Sequence, residues 1–133
     1  LDEMVAAGEG LWLGHVSDQA LLDELWANCG LYFHGHSVGG TNPALLQALG
    51  AGAPVIALDT PFNREVIQNR EQLFSPEPAE VAALAGKVDA EPDLRAGWRR
   101  AGKARVADAY SWDDVSNRYL EALALAKSRR AGV

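Results

Sequence analysis

Between Leu31 and Asp59 the chain runs through a short apolar stretch, a loop with three glycines, a proline-led helical stretch and a second apolar run. Few folds accept that succession. Leu31-Tyr32-Phe33-His34 is apolar on both faces, as a strand buried in a parallel sheet is. The loop is Gly35-His36-Ser37-Val38-Gly39-Gly40-Thr41-Asn42. Pro43 then stands where proline opens a helix, after the cap candidates Thr41 and Asn42. The helix Pro43 to Ala51 gives way through Gly52 to a strand from Pro54 to Asp59.

The same alternation extends in both directions. Leu11-Trp12-Leu13-Gly14-His15-Val16 reads as a further short strand. Ser17 follows as an N-cap, with Asp18 in the first turn and Leu21, Leu22, Leu25 and Cys29 at helical spacing. Gly30 closes that helix in a left-handed conformation. Leu1 to Glu9 reads as the tail of a helix, and Asn63 to Asn69 as a short helix after the turn Thr60-Pro61-Phe62. Leu73-Phe74 reads as one more small strand. From Glu77 the chain is helical, with a break near Pro92. Ser111-Trp112-Asp113-Asp114 resembles a capping box, and Trp112, Val115, Tyr119, Leu123 and Ala126 form one apolar stripe. Strand, helix, strand, helix, strand predicts an α/β fold with a parallel sheet.

Composition narrows the function. With 133 residues, 48% hydrophobic and 23% charged, the chain suits one globular domain. The single cysteine, Cys29, excludes an internal disulfide and points to a reducing compartment. No signal peptide is expected, and the apolar stretch Ala44 to Leu58 is broken by Gln47, Gly50, Gly52 and Pro54. Seven acids and no Lys or Arg precede Arg64, whereas all 12 basic residues lie from Arg64 onward, against 11 acids. A nucleic-acid module would need a basic face. An anion bound by the first half must instead meet backbone N–H groups.

Gly35-His36-Ser37-Val38-Gly39 matches the nucleophile elbow of α/β-hydrolases, but no histidine follows Ser37 to complete a triad. His34 and His36, with His15 or Asp59 as a third ligand, make a sparse metal set. The pair reads better as hydrogen-bonding groups at the end of a strand, beside the crevice of a parallel sheet. Gly50-Ala51-Gly52 lies between helix and strand, the reverse of a pyrophosphate fingerprint. Gly39-Gly40-Thr41-Asn42-Pro43 survives this sorting. Its glycines let backbone approach a ligand, and it feeds a helix N-terminus. Phosphate binding and a purely conformational use of the glycines both fit it.

The run His34-Gly35-His36-Ser37-Val38-Gly39-Gly40-Thr41-Asn42-Pro43-Ala44-Leu45-Leu46-Gln47-Ala48-Leu49 resembles the donor-site segment of family 4 glycosyltransferases. Gly52-Ala53-Pro54-Val55-Ile56-Ala57 and Asp59-Thr60-Pro61-Phe62-Asn63-Arg64-Glu65-Val66 continue the likeness. It is strongest with bacterial surface-polysaccharide and rhamnosyltransferase-like members. The resemblance implies the C-terminal half of a GT-B fold, two Rossmann-like domains facing one another, with a helical C-terminal segment. Residues 1–133 are then one nucleotide-sugar-binding domain. The acceptor-binding domain and the family's diphosphate-binding Arg and Lys are expected upstream of Leu1.

The resemblance further implies a nucleotide-diphosphate-sugar donor of UDP, GDP or dTDP type, a polysaccharide or lipid-linked acceptor, and no metal or other cofactor. The implied donor site comprises His36, Gly39, Gly40, Thr41 and Asn42, with Gln47 at the ribose, Val16 near the base and Glu65 near the sugar. Glu65 as a cap of its own helix is the preferred alternative. The family's pair of glutamates falls on Gly39 and Gln47, neither of them Glu. A degenerate nucleotide-binding domain is therefore the second reading, and the hydrolase the third. Arg95, Arg99, Arg100, Lys103 and Arg105 suggest either an anionic-lipid contact or a solvated helix face. The expected location is cytoplasmic, with peripheral attachment to the inner membrane face as a corollary of lipid contact.

Overall fold

The computed structural model describes residues 2–131. Its centre is a parallel sheet of three strands, β1 (Tyr32–His34), β2 (Val55–Leu58) and β3 (Leu73–Phe74), in that spatial order. Tyr32 pairs with Val55 and His34 with Ala57, while Ala57 pairs with Leu73. The helices, in chain order, are α1 (Asp2–Ala6), α2 (Gln19–Asn28), α3 (Pro43–Ala51), α4 (Pro61–Ile67), α5 (Pro78–Ala90), α6 (Pro92–Ala109) and α7 (Trp112–Ala131), and α3 to α6 supply the buried side chains that cover the sheet. This is the α/β, Rossmann-like arrangement that the sequence predicts, helical C-terminal segment included.

Strand alternation builds two cores. Val55 and Ala57 face Leu45, Ala48 and Leu49 of α3 and Val66 and Ile67 of α4. Ile56 points the other way, towards Phe74, Val88 of α5 and Trp98 of α6. The helices that cover the sheet start on local signals. Asn42 Oδ1 accepts from Ala44 N at 2.9 Å, Pro43 follows at the first helical position, and Gly52 ends α3 at φ +90°. Thr60 Oγ1 accepts from Asn63 N at 3.2 Å, and α4 starts at Pro61 rather than at Asn63, because proline's fixed φ already suits a first turn. Prolines likewise open α5 and α6.

Several expectations give way. Leu11–Val16 forms no strand: Leu11 is 83% exposed and Trp12 and Leu13 are also exposed, with Gly14 at φ +68°. A strand needs a hydrogen-bonding edge, and the sheet brings none to this segment. Asp18, not Ser17, caps α2, accepting from Ala20 N at 3.0 Å and Leu21 N at 3.2 Å. Cys29, in extended conformation, ends that helix in place of a left-handed Gly30. β1 lies at the edge of the sheet, so Phe33 is 53% exposed rather than buried on both faces. On α7 most of the apolar stripe is uncovered: Val115 is half-buried, but Trp112 is 82% exposed, and Tyr119 and Leu123 are exposed with it.

Of the basic stretch, Arg100 and Lys103 are exposed, as on a solvated helix face, whereas Arg95, Arg99 and Arg105 are half-buried and engaged within the chain. Arg99 Nη1 donates to the carbonyls of Ala27 and Gly52, each at 2.7 Å, and Nη2 donates to that of Cys29. It thereby closes the C-terminal ends of α2 and α3, where cations are favoured. Arg105 donates to Val66 O at 3.1 Å and Glu65 O at 3.0 Å, and Arg95 to Asp89. Among the described residues no helix is long and apolar enough to cross a membrane.

Candidate functional site

β1 ends at His34, and residues 35–42 turn over the carboxyl end of the sheet, where open α/β folds hold ligands. Gly39 has φ +101°, a conformation that costs little only without a Cβ. At Gly40 a Cβ would meet nothing within 4 Å. The N–H groups of Gly39, Gly40, Thr41 and Asn42 meet no acceptor among the described residues. The first donors of α3 are already used, since Ala44 N binds Asn42 Oδ1 and Leu45 N binds Asn42 O at 3.1 Å. The free donors therefore belong to the loop rather than to the helix.

Beneath the loop lies a polar floor. His34 is 4% exposed, with Nδ1 3.5 Å from Tyr32 Oη. Its Nε2 is the one buried side-chain nitrogen or oxygen without a partner among the described residues. Burial, and secondarily the neighbouring His36, holds the His34 imidazole below its ordinary value. The exposed His36 ring stacks on it at 5.8 Å between centroids. Buried Asn63 connects the loop to β2, donating to Leu58 O at 2.8 Å and His36 O at 3.4 Å. Beside it Arg64 grips Asp59 through two hydrogen bonds, the Nη2–Oδ2 one at 2.9 Å. Those bonds hold the Asp59 carboxyl below its ordinary value. Arg64, the nearest base in sequence, is thus already engaged.

Gln47 is exposed on α3. With Pro43, Leu46 and Gly50 it lines an open cavity of about 340 Å³ bounded also by Val106, Tyr110 and Trp112. Tyr110 joins this cavity to Glu65, donating its hydroxyl to Glu65 Oε2 at 2.7 Å. Arg105 Nη2 reaches Glu65 Oε1 at 3.4 Å. Burial first, then the bond to Glu65, pushes the Tyr110 hydroxyl up from its ordinary value. Glu65 therefore does not cap α4. Thr60 does that, and Glu65 braces α4 against the end of α6 instead.

The structure thus gathers His36, Gly39, Gly40, Thr41 and Asn42 in one loop and places Gln47 and Glu65 on either side of Tyr110. Val16 lies in the irregular stretch before Asp18. Asn63, Tyr110 and Arg105 are additions that sequence reasoning missed. Only Asn63, at the N3 position after the Thr60 cap, left a local signal. Ser37 does not form an elbow, because Gln68 is the one described non-glycine residue at positive φ and α3 starts only at Pro43. Among the described residues no group of three His, Cys, Asp or Glu converges to hold a metal. What the loop offers chemically is recognition of an anion by neutral donors. A family described as glycosyl transferase-like matches residues 12–124 of the chain. No curated protein and no solved structure matches it.

Proposed function

The chain belongs to that glycosyl transferase-like family, and on this premise we propose that it is the donor-binding domain of a GT-B enzyme similar to family 4 and its rhamnosyltransferase-like members. Its partner is an acceptor-binding domain of the same enzyme. The diphosphate of a UDP, GDP or dTDP sugar lies over Gly39, Gly40, Thr41 and Asn42. Gln47 takes the ribose, and Glu65 and His36 stand towards the sugar. Val16 meets the base, an assignment that draws on the resemblance alone. A hexosyl or deoxyhexosyl group passes to a polysaccharide or lipid-linked acceptor on the cytoplasmic side of a membrane.

One observation carries this reading: the unmatched N–H donors of Gly39 to Asn42 at the carboxyl end of β1. The cavity bounded by Pro43 and Gln47 adjoins that loop, which suits a ribose next to its phosphates. A second reading, a non-catalytic nucleotide-binding domain, draws on Gly39 and Gln47 standing where the related transferases carry carboxylates. It predicts nucleotide binding without sugar transfer by the whole enzyme.

Calorimetry with UDP, GDP and dTDP tests the donor site. One of the three should bind, and Gly40→Val should weaken it at least about tenfold, about 1.4 kcal/mol. The melting temperature should be unchanged, because the added side chain enters open space. Equal affinity for both proteins would remove the loop from the site.

A further inference from the structure

We infer that Asn63 is a positioning residue for the loop of residues 35–42, tying it to the end of β2 from the first turn of α4. Asn63 is 4% exposed, and its side-chain amide has two hydrogens to place. One meets Leu58 O, in the last residue of β2, at 2.8 Å. The other is directed at His36 O, 27 positions earlier in the chain, at 3.4 Å. Its backbone N–H is held by Thr60 Oγ1 at 3.2 Å, so the residue is fixed from its own helix as well. Asp59 N, next along, is bound to Phe74 O at 2.8 Å. The end of β2 is thus pinned to β3 through backbone and to the loop after β1 through Asn63.

A carboxylate at this position would present acceptors to two carbonyl oxygens. The loop would lose its hold on β2 although no group facing outward had changed. That the hold sets nucleotide affinity rests on the donor site proposed above; the hold itself does not. Gln72 supplies a matched control. It is also buried and donates its side-chain amide to a β2 carbonyl, that of Val55 at 2.9 Å, but at the opposite end of the strand.

Backbone relaxation of the chain decides the matter. In the unsubstituted protein, amides 36–42 should have order parameters near about 0.85. Asn63→Asp should lower them below about 0.6 and weaken nucleotide-diphosphate binding about five- to tenfold, the loss of the one hydrogen bond of the two that reaches the loop. Gln72→Glu should lower the melting temperature and leave the loop as it was. An unchanged loop in Asn63→Asp, or the same loosening in Gln72→Glu, overturns the inference. If Asn63→Asp does not fold, exchange of the Asn63 side-chain amide hydrogens in the unsubstituted protein decides instead: slow exchange supports the tether, exchange at the free rate overturns it. Loosening of the loop in a protein that binds none of the three nucleotides upholds the tether and removes the donor assignment.

Discussion

Gln47 sits on an exposed turn of α3, where an amide offers one acceptor oxygen and a carboxylate offers two. Gln47→Glu should therefore tighten nucleotide-diphosphate binding about five- to tenfold by titration calorimetry. Equal or weaker binding would turn this face of α3 away from the ribose. His34 makes a pH prediction. Its folded form holds the imidazole below the ordinary 6.5, so on acidification the unfolded chain takes up the proton first. Stability should fall as pH drops through about 6.5 and continue downward to the folded value. Thermal melts should show that decline setting in as pH falls through about 6.5, and His34→Phe should flatten it. Arg99 illustrates what sequence withholds at this scale. Its carbonyl acceptors on Ala27, Cys29 and Gly52 lie 72, 70 and 47 positions away, so only the folded chain brings them together.

Elements were legible where the signal was local. α3 carries an Asn cap, Pro43 and Gly52 within one stretch, and its bounds are those expected from them. Leu11–Val16 carries an equally good apolar pattern, yet it is coil because no strand edge reaches it. The stripe on α7 is a helical pattern for the same local reason, and it stays exposed because burial depends on what stands opposite. At the start of α2 two neighbouring residues competed to be the cap. Asp18→Ala should cost about 1 kcal/mol of stability and Ser17→Ala a few tenths at most, by thermal melts. The reverse order would return the cap to Ser17. In the candidate site, the loop of residues 35–42 was readable from its glycines. Its attachment through Asn63 and the bracing of Glu65 by Tyr110 were not, since each is a contact between distant elements.

Across the whole molecule the charge asymmetry of the sequence acquires a spatial meaning. Arg99 reaches back to the ends of α2 and α3 beside the amino end of the sheet, and Arg105 is spent on Glu65 and Val66. At the opposite end Arg64 is paired with Asp59. The loop over the carboxyl end contains backbone donors and no Lys or Arg of its own, and α3 beneath it is anchored in the core through Leu45, Ala48 and Leu49. UDP, GDP and dTDP titrated into isotope-labelled protein test this most directly. The backbone amides of Gly39, Gly40, Thr41 and Asn42 should shift first and furthest with at least one of the three, and the shifts should vanish in Gly40→Val. If all three nucleotides leave those four amides unmoved at millimolar concentration, the chain does not hold its donor there.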